Sequence, residues 1–342
     1  MLRIMEKRKL VQSGLFSFTV SLPKDWVTRH KLKKGSQIFL EERDDMLLLT
    51  PEQTPNLARK ETKEHRLNVD IISENSLTRD IIASYLMNVR DIRLQGKNLR
   101  SNVEWCKNLI AMLPGLEVIE ETGESLLIKD FINISELNVP SLLRRSDNII
   151  RSIFQDTALC LKEKDASLAE AIQKRDKEIN RLTFLIYKCL NFISEHPQDG
   201  KFHGVSQVFA THVWELNGYL EKIGDELKRF SRFASASTLS SSEKKSLASL
   251  LTDIETFYLQ VMMAFYKNDA TTSDVASEKR HEILRQCTEY LSKSKVLEGR
   301  GMVSRLTYML SYINSVSRIL RYISIEKDMV IRGPILSTPG RE

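Results

Sequence analysis

The stretch "LNGYLEKIGDELKRF" occupies residues 216–230. Its apolar residues Leu216, Leu220, Ile223, Leu227 and Phe230 step alternately by four and three, the spacing of one helix face. A stripe that narrow is buried by packing against other helices. The same period returns in Leu247, Leu251, Ile254, Tyr258, Val261 and Phe265, and it dominates the chain from Ser141 onward. Setting 216–230 above "LTYMLSYINSVSRIL", residues 306–320, aligns Leu216 with Leu306, Leu220 with Leu310, Ile223 with Ile313 and Phe230 with Leu320. The region therefore reads as an internal repeat of two three-helix bundles, 139–236 and 237–329, followed by a flexible tail, 330–342. Between them lies "SRFASASTLSSSEKK", where Ser240 and Glu243 stand at capping-box spacing and start the next helix.

At 342 residues the chain has room for two or three domains. Its apolar runs fall short of the roughly 20 residues of a membrane span, and no apolar block with a cleavage site follows the basic start. This predicts a cytoplasmic protein without membrane insertion. Cys106, Cys160, Cys189 and Cys287 lie far apart, which argues against a disulfide framework or a zinc knuckle. The net charge of +6 is concentrated at one end: residues 1–34 carry nine cations against Glu6 and Asp25, and the remainder is close to neutral. Such a local field suits a polyanion, nucleic acid before membrane, because no amphipathic membrane helix accompanies it. The same charges also fit a solvated basic face.

Upstream of the helices two smaller units are legible. Residues 66–138 alternate "RLNVDIIS", "SLTRDIIASYLMN", "DIRLQ", "LRSNVEWCKNLIAML" and "LEVIEETGESLLIKDF", a β-α-β-α-β-β order closing on a hairpin at Thr122-Gly123. This predicts a small α+β domain whose role is not legible. Residues 53–65, with Pro55 and many polar neighbours, read as a linker. In residues 1–52, "RKLVQSGLFSFTVSL" gives a hairpin around Ser13-Gly14. Pro23 starts a short helix, Lys24 to His30, with Trp26 and Val27 on its buried side and Leu32 and Gly35 at its end. "SQIFLEE" and "MLLLT" form a second hairpin around Arg43-Asp44-Asp45. A β-β-α-β-β unit this small cannot cover its own strand faces and predicts completion by a second copy, a homodimer.

Residues 7–50, through "TVSLPKDW" and "LKKGSQIFLEE", resemble the SpoVT-AbrB family of DNA-binding domains in its archaeal form. The resemblance implies an interlocked dimer of swapped hairpins, a β-barrel with Thr19–Leu22 and Ile38–Glu41 as strands and a basic face on double-stranded DNA. On that basis Arg8, Lys9, Lys24, Arg29, Lys31, Lys33 and Lys34 are the DNA-binding candidates. Within the helical region, "LEKIGDEL" is similar to the core signature of the PhoU family, whose E-x-x-x-D helix binds metal in each repeat. The resemblance implies control of phosphate uptake, contact with a phosphate transporter or signalling partner, and a divalent or ferric ion at the first bundle.

Glu221 and Asp225 share one helical face outside the apolar seam and should point outward, and the preceding helix offers Asp176 and Glu178 as further hard-oxygen ligands. An acidic solvated face fits the same spacing. Asn180 stands where another acid would complete the set, and Ser311 and Ser315 take the matching places in the second repeat, so a metal site is confined to the first bundle. His281, between Glu278 and Glu282, reads as a surface histidine. Trp26, Trp105 and Trp214 read as core. Gly224, inside a helix, points to close helix approach or ion access. No nucleophile-base or paired-carboxylate arrangement favours an enzyme. The sequence thus predicts a multidomain α+β and all-α DNA-binding transcriptional regulator of phosphate uptake. The alternatives are a metal-binding adaptor acting on a transporter by contact, or an antitoxin-like DNA binder.

Overall fold

The computed structural model describes residues 7–43, 46–51, 64–163, 165–196, 203–205 and 207–331. Asp44 and Asp45 of the second hairpin's turn, linker residues 53–63 and tail residues 332–342 lie outside the described residues. The chain divides into two units, Met1–Lys63 and Glu64–Glu342.

In the first unit Val11–Gln12 (β1) pairs antiparallel with Phe18–Thr19 (β2), and Ile38–Arg43 (β3) with Met46–Pro51 (β4). Gly14, at φ +91°, permits the first reversal, which Ser13 N–H closes by donating to the Ser17 carbonyl at 2.8 Å. Helix α1, Lys24–Arg29, lies between the hairpins. The β-β-α-β-β order is as expected. β2 stops at Thr19 instead of reaching Leu22, and the described residues form two separate two-stranded sheets, with no closed barrel. Trp26 and Val27 are only half-buried, and α1 has no buried residue. Leu10, Leu15, Phe16, Phe18, Phe39 and Leu40 are all exposed, Phe16 to 94%. The reason is size: hairpins this short have no third layer within one chain to cover them.

The second unit opens with β5 (His65–Asn68), α2 (Glu74–Leu86), β6 (Asp91–Gln95), α3 (Leu99–Ile110), β7 (Leu116–Glu121) and β8 (Ser125–Asp130), the order read from sequence. β5 begins at His65, the last residue assigned to the linker. The sheet runs β5-β6-β8-β7, parallel between β5 and β6 and antiparallel elsewhere. The parallel step needs a crossover, which α2 supplies, with Ser73 as its cap accepting from Ser76 N–H. Ile81, Tyr85, Ile92, Leu94 and Ile128 are fully buried in the core beneath it.

Six helices follow: α4 (Val139–Glu163), α5 (Ala166–Glu195), α6 (Gln207–Ala236), α7 (Ser241–Lys267), α8 (Ala270–Lys293) and α9 (Leu297–Ile331). Every seam residue of 216–230 is buried. The two triplets are not separate bundles: one apolar cluster runs through both, with α6 along α9 and α4 against α7. Buried residues beside the seam of α9, Val303, Met309 and Ile319, widen its apolar face and make this sharing favourable. The Ser-rich break is shorter than expected because α6 runs through Ala236. Ser240 and Glu243 form the full capping box that starts α7. At the other end α9 continues to Ile331, beyond the position where a tail was expected to begin.

One buried ion pair pins the sheet to the helices. Lys188 of α5, 1% exposed, donates to Asp130 Oδ2 of β8 at 2.6 Å and to the Tyr85 carbonyl of α2 at 2.8 Å. Its ammonium also lies 4.3 Å from the Tyr85 ring centroid. Burial pulls the Lys188 pKa down against the opposing pull of Asp130. Asn191 Nδ2 adds a bond of 3.0 Å to the Leu86 carbonyl. The tryptophans depart from a common core role. Trp105 is half-buried against the sheet's core, whereas Trp214 is 40% exposed and lies tilted against Tyr187, ring centroids 4.3 Å apart.

Candidate functional site

The basic residues of the first unit follow from how α1 ends. Pro23, at φ −59°, sets the entry, and Asp25 and Arg29 sit at the helix ends that suit their charges. The exit is not at Leu32 or Gly35. Lys31 takes the left-handed conformation at φ +54°, its N–H bonding Thr28 O at 3.0 Å while Leu32 N–H reaches Val27 O at 3.0 Å. This is a Schellman ending with a lysine where glycine is usual. Ser36 Oγ then accepts from Lys33 N–H at 2.8 Å, and Gly35 turns at φ +90°. The result places Lys24, Arg29, Lys31, Lys33 and Lys34 on one short helix and its exit loop, with Arg8 and Lys9 on the approach to β1. All seven are exposed. Such a display reaches phosphates, which a polyanion supplies and a buried small-molecule site does not.

The acidic residues of α5 and α6 have a different fate. Glu221 and Asp225 do not point outward, because α5 packs over that face and leaves both half-buried. Gly224 explains the approach: a Cβ there would stand 2.8 Å from Ile179 Cδ1 of α5. Asp176 is 3% exposed and accepts from Lys228 Nζ at 2.6 Å, and the same ammonium bonds Asp225 Oδ1. Arg229 Nη2 holds the other Asp225 oxygen at 3.0 Å. Burial pushes the Asp176 carboxyl up against the pull of Lys228, and burial together with Asp225 and Asp176 raises Glu221. For Lys228, burial is outweighed by its two carboxylate partners, and it is held above the usual lysine range. Glu178 stands apart, exposed and 3.7 Å from Arg145.

Asp176, Glu221 and Asp225 thus come together, and Glu178 does not. An ion in this face would have to displace Lys228, whose ammonium already bridges two of the three carboxylates. Among the described residues no three His, Cys, Asp or Glu side chains are placed to hold one metal. The residues present fit a lysine-centred ion cluster and not the expected metal site. Lys228→Ala should therefore cost about 3 kcal/mol, the lower end for a broken buried pair because Lys228 is partly exposed. The variant should also gain thermal stability from added manganese that the wild type does not. Melting curves with and without manganese check both effects, and Glu221→Gln with Asp225→Asn should abolish the gain in the variant.

Two further charged residues escaped sequence reading. Glu226, beside the E-x-x-x-D pair, is 4% exposed and joins Arg229 of its own helix to Arg305 of α9, at 3.0 and 3.2 Å. Asp147 is fully buried on α4 and accepts from Tyr258 and Tyr266 hydroxyls of α7 at 2.8 and 2.9 Å and from Arg151 Nε at 3.0 Å. Its signal was present: Leu143, Asp147, Ile150 and Phe154 keep seam spacing, so a carboxylate stands where an apolar residue belongs. His281 is exposed, as expected.

Among the described residues no helix is long and apolar enough to cross a membrane. Residues 143–234 match the PhoU domain family, and residues 17–56 match the family described as antidote-toxin recognition MazE, bacterial antitoxin. No curated protein matches the chain. Solved structures of PhoU proteins are similar to it. PhoU from Pseudomonas aeruginosa is 16% identical, with TM-score 0.44, over 57% of this chain and 96% of that one. The phosphate transport system regulatory protein PhoU from Streptococcus pneumoniae is 14% identical, with TM-score 0.39, over 58% of this chain and 98% of that one.

Proposed function

We propose that this chain is a dimeric, DNA-binding regulator of phosphate uptake, cytoplasmic and without catalytic activity. Its hairpin unit reads duplex DNA, and its helical unit acts as sensor or adaptor toward a phosphate transporter or its signalling partner. The observation that carries the reading is the presence in one chain of an exposed cationic hairpin unit and a PhoU-matched helix triplet. The lysines supply sequence-independent attraction to phosphate, and Arg8 and Arg29 have the planar donors suited to base edges. Metal has no part in the proposal, since Lys228 already bridges two of the three carboxylates of the acidic face.

The test is duplex binding by the full chain across a salt series. If about four to six phosphates are neutralised per dimer, affinity should fall roughly 10²- to 10³-fold between about 50 and 200 mM salt. Lys24→Ala with Arg29→Ala should weaken binding and flatten the salt slope by roughly one per protomer, the Lys24 share, with an unchanged circular dichroism spectrum. Equal slopes in both proteins would remove α1 from the interface. The MazE match favours a second reading, an antitoxin-like binder whose helices hold a toxin. That reading requires a neighbouring gene whose expression alone arrests growth and whose effect this chain relieves.

A further inference from the structure

The groove between α4 and α7 is cationic, unlike the acidic face of α5 and α6. A cavity of about 620 Å³ opens there, within the usual size range of small-molecule sites. Its charged wall residues are Arg144, Arg151 and Lys267. Asp147, the carboxylate beside them, is fully buried and committed to the Tyr258 and Tyr266 hydroxyls and to Arg151. Three cations and one buried carboxylate leave a formal charge of +2 facing the cavity.

The cations are arranged in advance. Asp147 grips Arg151 through Nε, and the two terminal nitrogens of Arg151 have no protein partner among the described residues. Arg144 lies over the Tyr266 ring, its guanidinium carbon 3.3 Å from the centroid, while the Tyr266 hydroxyl is anchored on Asp147. Lys267 closes the last turn of α7. Between the charges the wall is apolar, from Leu259 and Met263, and one acceptor is left over: the Gln260 side-chain carbonyl is buried without a partner. Such a site lacks two things, a dianion for the two fixed guanidinium groups and a donor-bearing flat group for Gln260 and the apolar wall.

We propose that this groove binds a nucleoside monophosphate, with the phosphate between Arg144, Arg151 and Lys267 and the base on the outer face of the Arg144 guanidinium beside Met263, its amino edge turned to Gln260. The site is an effector site on the helical unit, separate from the residues proposed to contact DNA.

Calorimetric titration of the full chain with AMP, GMP, CMP and UMP tests it, with adenosine and inorganic phosphate as controls. At least one monophosphate should bind saturably at one site per chain, with adenosine and phosphate each roughly tenfold or more weaker. Arg144→Gln with Lys267→Gln, both exposed residues, should lower that affinity by roughly a hundredfold while melting temperature and salt-dependent DNA binding stay as in the wild type. Lys24→Ala with Arg29→Ala should leave it unchanged. Saturable binding by none of the four, phosphate as tight as the nucleotide, or sensitivity to Lys24 and Arg29 but not to Arg144 and Lys267 would each overturn the assignment. Failure there leaves duplex binding, read in its own assay, untouched.

Discussion

Asp130→Ala should destabilise the second unit by about 3–5 kcal/mol, the cost of leaving a buried ammonium without its counter-charge. Lys188 cannot escape to solvent at 1% exposure, and its remaining contacts, a carbonyl oxygen and a ring face, are neutral. Replacing both partners, Lys188→Met with Asp130→Leu, should recover most of the loss, because neither charge then needs solvating. Urea unfolding of the wild type and the two variants checks this, and equal losses in the single and double variants would make the pair a bystander. The pH dependence has a defined sign. The folded pKa of Lys188 lies below the ordinary lysine value, so below the folded value both states hold the proton and the burial cost is fully present. Between that value and the ordinary one the unfolded chain binds more protons, and stability rises with pH. Lys188→Met should lack that rise.

The second large effect concerns the first unit. Phe18 and Phe39 are each 62% exposed, on strands that no other element of the first unit's described residues covers. Moving a large apolar side chain out of water contributes about 1.5–3 kcal/mol, so Phe18→Asp with Phe39→Asp removes four such contributions from a symmetric pair. The dimer dissociation constant should rise by roughly 10⁴-fold or more. Sedimentation of the full chain reads the change. A wild-type chain that is monomeric at micromolar concentration would end the dimer proposal and, with it, the explanation for these exposed strands.

What could be read in advance depended on whether the signal was local. Helix period, the capping box at Ser240 and Glu243, and the β-α-β-α-β-β order of the sheet domain are written in neighbouring residues, and the structure has them. Partnership between distant residues is not written there. The spacing of Glu221 and Asp225 gave a shared face correctly, but which way that face points was decided by α5, brought close by Gly224. Lys228 lies three residues from Asp225, yet only the tertiary position of Asp176 turns it into a bridge. Lys188 and Asp147 were detectable as charges among apolar neighbours, while their partners, 58 and 111 residues away, were not. The exposed strand faces mark the same limit one level up: no local pattern names what covers Phe18 and Phe39.

The shared core of the six helices bears on what counts as a module in this protein. The PhoU match ends at residue 234, close to the end of α6, as though one could cut there. Cutting there would strip Arg305 from the buried carboxylate of Glu226, Tyr312 from its stacking partner Tyr219, and α9 from the whole length of α6. The six helices are therefore one unit of folding, and a chain cut near residue 234 should expose the apolar seam of α6 that α9 covers.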